Sequence, residues 1–361
     1  WLHNPTHKAS ESGVNRATHY IRTAYQILTN SLPLSTQTEI KFTLNVKDIE
    51  EMCSHVQATK YAYFDVETFP AERNVPKEKR LEYNTTFFKA KCRTLQISHQ
   101  AGAAWVVPIY DFESPLNVGY RDELEFGILT EVEEDGKPCK IFTKVITKKE
   151  DFHKLPESVN IHVKRNGELI QTYDWYDLPF RREFAIALYE NWTHCKENHI
   201  DNYFKDLCFP LIEKHVTNDH EVEKRSHNVT FDYNVCRYPG QGLGFQFKGI
   251  LGDTMEQIHT LDKTKPLGLK PLSELYYPEF IGYGEEIDYE NDSLYDIGVY
   301  GGTDTDLGAR LDTFLTKDLL TIPKLFRFYV NVKVPNIYFF ADLEYNGCYI
   351  DRPKLSEVKE I

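Results

Sequence analysis

The chain has no run of about 18 apolar residues, so neither a membrane-spanning helix nor a membrane partner is expected. Its first residues, "WLHNPTHKASESGVNR", lack the apolar stretch of a secretory signal. It has no Cys-x-x-Cys pair. The seven cysteines, at positions 53, 92, 139, 195, 208, 236 and 348, are scattered and odd in number. That pattern argues against a disulfide framework and a structural zinc site, and it suits a reducing, cytoplasmic compartment. Basic residues are in deficit: 42 Lys and Arg stand against 55 Asp and Glu, a net charge of −13. Phosphate neutralisation supplies most of the affinity of an autonomous nucleic-acid binder, so a pure DNA-binding module is disfavoured. Three Asn-x-Thr triplets begin at Asn84, Asn191 and Asn228. Without a secretory signal they read as chance.

What is present is the composition of a globular protein: 361 residues, 41% hydrophobic and 14% aromatic. This is enough for one large or two medium domains. Residues 14–32 have helical character, and "STQTEIKFTLN" reads as a strand. "DIEEMCSHVQAT" places Ile49, Met52, Cys53 and Val56 on one helical face, with Asp48 as the expected N-cap and Glu51 three residues on. Two strands, "RTLQISHQ" and "AAWVVPIYDF", follow a polar, basic-leaning loop. Asn166-Gly167 between extended runs is a strong hairpin signal, and "EEDGKPCKIFTKV" suggests another. "RREFAIALYENW" and "HIDNYFKDLC" read as helices, the second interrupted by Pro210. "EVEKRSHNVTFDYNV" reads as a strand leading into a helix, and a late helix runs through Leu307, Leu311, Phe314 and Leu315. Strands mixed with helices indicate an α/β fold. No internal repeat or low-complexity tract is visible.

The stretch "KYAYFDVETFP" sets two carboxylates in a strand that otherwise reads as buried. Alternation puts Tyr61, Tyr63, Asp65 and Glu67 on one face, and Asp65 and Glu67 stand only about 6.6 Å apart along the strand. Both can reach one cation, or both can be solvated acids of an edge strand. Two further features bear on the choice. "SHNVTFD" holds Asn228 and Asp232 at a strand-to-helix transition, and "YGGTDTD" holds Tyr300 and Asp304 on one helical face. Each also has a plain explanation: Asn228 as a turn or cap, Asp232 as a first-turn acid, Asp304 as a solvated helix charge.

Together and in this order, these motifs resemble the 3′–5′ proofreading exonuclease domain of family A DNA polymerases, the tyrosine-bearing form of the DEDD superfamily. "GDTMEQIHTLD" and "LGLKPLSELYYP" resemble that family's connecting segments. "FFADLEYNGCYIDRPKL" resembles its handover to the polymerase thumb. The resemblance covers about residues 40–118 and 216–361 and fails at about 119–215, where this chain is longer. The insertion and the Tyr- and Phe-rich composition suit a bacteriophage polymerase.

The resemblance implies an RNase H-like fold, a mixed β-sheet flanked by helices, with a long insertion containing a β-hairpin. It implies three regions: a helical extension (1–40), the exonuclease domain (41–320), and the start of the polymerase thumb or connector (321–361). The chain lacks an initial Met and stops without polymerase motifs, so it is expected to be a fragment whose polymerase module acts in cis. The implied cofactors are two divalent ions, Mg²⁺ or Mn²⁺, and the implied partner is a single-stranded DNA 3′ end. Asp65 would bridge both ions, Glu67 and Asp304 would complete the first, and Asp232 would hold the second. Tyr300 and Glu67 would orient the attacking water; a phenol titrating near ~10 suits positioning better than proton abstraction. Asn228 would sit just outside the ions or near the DNA end. Four acids in one pocket cannot all ionise without cations, so a metal-free site should show a raised carboxyl pKa.

Other features carry less. His227 reads as structural, and "PGQGLGF" as a turn, since it lacks the Lys-Ser/Thr of a phosphate loop. Arg73, Lys77, Lys79, Arg80, Lys89, Lys91 and Arg93 touch DNA or line a solvated loop. The alternatives to the editing exonuclease are an RNase D-like exoribonuclease, against which the "EYNGCYID" tail argues, and an inactive exonuclease-fold scaffold. The intact acids and tyrosine disfavour the scaffold.

Overall fold

The computed structural model describes residues 38–359, save positions 73, 74, 77, 78, 80, 81, 83–85, 110–117, 135, 136, 157, 158, 174–179, 241, 250, 284–286 and 289–291. The helix expected at 14–32, and Arg73, Lys77 and Arg80, lie outside the described residues.

Strands β1 (Glu39–Phe42), β2 (Tyr61–Pro70), β3 (Ala90–Gln100) and β4 (Ala103–Pro108) open the fold. β5 (Leu124–Glu134), β6 (Lys137–Ile146), β7 (Ile161–Arg165) and β8 (Glu168–Tyr173) form a separate four-stranded sheet in the order β6-β5-β7-β8. The chain then returns to the main sheet with β9 (Glu223–Ser226) and β10 (Leu251–Asp253), giving the order β1-β4-β3-β2-β9-β10. β3 runs antiparallel to β2 and β4, while the β1–β4, β2–β9 and β9–β10 pairs are parallel. A core order β4-β3-β2-β9-β10 with its second strand alone reversed is the RNase H-like arrangement.

β2 is central because both of its faces are apolar around the acids, as a strand covered on two sides requires. Ala62, Phe64 and Val66 join the main core, and Tyr61 and Tyr63 pack on the opposite side against Ala309. The edge-strand explanation for Asp65 and Glu67 is therefore excluded. The covering helix is α7 (Leu294–Thr321), which follows α1 (Val46–Thr59), α2 (Phe180–Asn198), α3 (204–217), α4 (Val229–Arg237), α5 (Thr254–Leu261) and α6 (Leu269–Tyr276) along the chain. Glycine lets α7 lie close on the sheet: a Cβ at Gly308 would fall 2.2 Å from Cε1 of Tyr63.

The face read for α1 is buried: Ile49, Met52, Cys53 and Val56 are inside. Its N-cap, however, is Asn45 rather than Asp48. Asn45 Oδ1 accepts from Asp48 N–H (3.1 Å), and the Asp48 carboxylate reaches back to Leu44 N–H (3.0 Å). Two cap-forming residues three apart both qualify on sequence, and the reciprocal bonds decide between them. Pro210 does not interrupt its helix. Turns continue through Phe209–Ile212 between wider π turns at Phe204–Cys208 and Glu213–Thr217, which accommodate a residue with no N–H. Ile200 precedes these turns instead of belonging to them.

Both hairpins of the insertion form. Asn166 and Gly167 take positive φ (53° and 89°), as a tight two-residue turn demands. Asn166 exchanges bonds with the backbone of Glu123, so the turn is tied to its own sheet. Phe126, Ile146 and Phe152 share the main core with Phe42 and Phe64. Asn191 is 3% exposed and donates to Leu44 O (2.8 Å), which closes that triplet to glycosylation. Helical turns at Pro323–Phe328, Tyr329–Lys333 and Val334–Asn346 form α8, whose Ile337 and Ala341 also enter the main core. A last helix, α9, spans Arg352–Lys359. All seven cysteines are free thiols. No helix among the described residues is long and apolar enough to cross a membrane.

Candidate active site

Three elements bring the sequence motifs together. The β2–β3 ladder shifts register beside the acids, between Glu67 and Thr68, where β3 carries one extra residue, Arg93, before pairing resumes at Thr68 and Cys92. β9 ends at Ser226, and Asn228 then turns through the left-handed region (φ 57°, ψ 50°), a conformation asparagine tolerates. α4 starts at once. Asp253 holds that turn: its carboxylate accepts from the N–H groups of Asn228 (3.0 Å) and Val229 (3.2 Å) and also caps α5 through Met255 N–H (2.8 Å). Asp232 lies at the fourth residue of α4, where Ser226 Oγ donates to it at 2.5 Å. On α7, Tyr300 and Asp304 stand one turn apart and their side chains bond. A glycine between them lets the helix approach the sheet: a Cβ at Gly301 would meet Gln96 Nε2 at 2.5 Å and Glu67 Cγ at 3.0 Å.

Asp65, Glu67, Asp232, Asn228, Tyr300 and Asp304 line one cleft of about 510 Å³. Val66, Phe87, His227, Thr230, Phe231 and Glu344 complete its wall. Asp304 is buried, so the solvated-charge explanation fails for it; Asp232 is buried as well and does stand in the first turn of α4. His227 is structural: Nδ1 meets Thr254 Oγ1 (2.9 Å) and Nε2 meets the Leu267 carbonyl (2.7 Å). Burial lowers its pKa to about 4, so it is neutral. Among the basic residues read near the cleft, Arg93 is 5% exposed and donates to Asp292 O (2.6 Å). It supports the fold rather than presenting a free charge. Lys89 is paired with Glu82.

Burial first, then mutual repulsion, drives the acids toward the neutral form. Asp65 and Glu67 are pushed well above the ordinary carboxylate range. Burial carries Asp232 up to about 8, against the opposing Ser226 hydroxyl bond. Asp304 is raised by burial and eased by bonds from Tyr283 and Tyr300 and by the Lys270 charge. The raised pKa expected of a metal-free acid cluster is thus present.

The donor set fits a hard divalent cation. One oxygen each from Asp65, Glu67 and Asp304 lie within 4.8 Å of one another, and among the described residues this is the one such group of three. Carboxylate oxygens suit Mg²⁺ or Mn²⁺. Burial and the same acids push the Cys92 and Cys236 thiols up. Tyr283, Lys270 and Ser226 are the site residues the sequence reading missed. None stands in a spaced motif: Ser226 adjoins one, and the other two meet Asp304 only through tertiary folding.

No protein-family model matches the chain. A stretch of 151 residues is 26% identical to DNA polymerase I of Pseudomonas aeruginosa, covering 39% of this chain and 16% of that protein. The chain therefore spans about a sixth of the length of the curated relative it matches. Among solved structures, a mutant catalytic core of RRP6 from Trypanosoma brucei aligns with a TM-score of 0.42 and 11% identity, over 92% of this chain and 62% of that one. NrnC of Brucella melitensis aligns at 0.41 and 12%, over 86% and 94%. At such scores neither structure bears on what this chain acts on.

Proposed function

We propose that the chain is a metal-dependent 3′–5′ exonuclease that removes nucleotides from single-stranded DNA ends, the editing module of a family A DNA polymerase. The observation that carries this reading is the convergence of four carboxylates from β2, α4 and α7 on one cleft, with their pKa values raised together. The partial likeness to DNA polymerase I supports DNA as substrate and a polymerase module in cis. On the same reading, 41–320 is the exonuclease unit, 1–40 its extension, and 321–361 the beginning of a connector.

Asp65, Glu67 and Asp304 would hold one divalent ion, and Asp65 with Asp232 a second. Such a pair, when bound, supplies a water-derived nucleophile and neutralises the leaving oxygen. The side chains do the rest. Ser226 fixes the orientation of Asp232. Tyr300 and Glu67 position the attacking water, and Asn228, which lines the cleft, faces the DNA end. The Lys270 ammonium, 4.8 Å from the Tyr300 ring centroid, moderates the negative field of Glu67 and Asp304.

The test is digestion of a 5′-labelled single-stranded DNA, beside an RNA of the same sequence, in Mg²⁺ and in EDTA. A metal-dependent ladder shortening from the DNA 3′ end, weak on RNA, is expected. Preference for RNA would replace this reading with an RNase D-like one, and no digestion of either would leave an inactive scaffold.

A further inference from the structure

Asp304 is bonded by two phenols, and only one of them belongs to the motif. Tyr300 precedes it by one turn on α7. Tyr283 comes from the segment between α6 and α7, and its hydroxyl donates to Asp304 Oδ1. The two rings lie nearly parallel, with centroids 6.3 Å apart and planes 26° from each other. Phe280 meets the Tyr283 ring edge-on at 6.4 Å. Lys270 Nζ stands 5.8 Å from the Tyr283 centroid and 4.8 Å from that of Tyr300. The Tyr283 side chain is thus packed in place independently of the bond it makes.

We propose that Tyr283 is a positioning residue for the cation site: its hydroxyl fixes the Asp304 carboxylate toward Asp65 and Glu67 and so sets the affinity for a divalent ion. This rests on the reading of the acid cluster as a cation site. The terminal torsion of an aspartate is broad, so a carboxylate held by one donor can still swing. A second donor from a different element removes that freedom. Removing an outer partner of a metal-binding side chain typically weakens binding by about 10- to 100-fold.

The experiment is Mn²⁺ titration by calorimetry on the whole chain, wild type against Tyr283→Phe, with thermal unfolding of both in EDTA. The phenylalanine keeps the ring, its stack on Tyr300 and its contact with Phe280. The expected result is about a tenfold or greater rise in the Mn²⁺ dissociation constant, with the EDTA melting temperature within about 2 °C of wild type. A dissociation constant within about twofold of wild type would overturn the proposal. So would weakened binding that came with general unfolding, which would make Tyr283 a structural residue. A wild-type chain that binds no Mn²⁺ would overturn the cation-site reading itself, an outcome distinct from both.

Discussion

Replacing Asp232 with Asn should make the metal-free protein more stable. Burial carries the Asp232 pKa from 3.8 up to about 8. Between those values the folded state holds a proton that the unfolded state has released. Stability therefore falls as pH rises through this window, by about 1.4 kcal/mol per pH unit for one group. From pH 4 to pH 7 the accumulated cost is at most roughly 4 kcal/mol. Asparagine has the same shape, cannot ionise, and still offers an oxygen to Ser226. At about 2.1 cal/mol/K per residue over 361 residues, 4 kcal/mol corresponds to a rise in melting temperature of roughly 5 °C. Thermal unfolding in EDTA at pH 7 and pH 4 is the assay. The variant should lead by several degrees at pH 7 and by nothing at pH 4. Saturating Mg²⁺ should reverse the order, because the wild type gains from binding and the variant loses a ligand. A variant equal to or below wild type at pH 7, or a lead that persists at pH 4, would refute the reasoning.

Further expectations follow from particular contacts. Asp65→Ala should abolish exonuclease activity while the fold survives, since it relieves a crowded acid cluster; residual digestion at wild-type rate would contradict the assignment. Tyr300→Phe should lower kcat less than Asp65→Ala, because it removes orientation and leaves every carboxylate in place; equal losses would assign the tyrosine a larger role. Gly308→Ala should cost about 1–3 kcal/mol in chemical denaturation, since the added methyl group would overlap the Tyr63 ring. Arg225→Met should cost about 3–5 kcal/mol, because Arg225, 0% exposed, is the shared partner of Glu223 and Asp312. An unchanged denaturation midpoint would contradict the part given to Arg225 in holding those acids.

The acid constellation was legible because its geometry is local. Alternation on β2 fixes which side chains share a face, one helical turn joins Tyr300 to Asp304, and a strand-to-helix turn delivers Asp232. The alternation also separated the Tyr61 and Tyr63 face from the Ala62, Phe64 and Val66 face, as the two clusters show. Tyr283 was not legible. It lies outside any periodic segment, and its bond to Asp304 joins residues of two different elements, which sequence spacing does not reveal. Arg93 looked like a surface charge because a basic residue near the end of a polar loop has no pattern that marks burial; strand β3 turns it inward. Asn45 and Asp48 both satisfy the rules for a helix cap, so their order was settled by reciprocal bonds that sequence does not reveal. The insertion gave up its hairpins through Asn166-Gly167, but not the way its aromatic residues join the main core.

The central claim is that Asp65, Glu67, Asp232 and Asp304 form a two-cation site. Anomalous diffraction from crystals of this chain soaked in Mn²⁺ tests it most directly. The account predicts two peaks about 4 Å apart in the cleft, one among Asp65, Glu67 and Asp304 and the other between Asp65 and Asp232. An ordered cleft without anomalous density at saturating Mn²⁺ would contradict it.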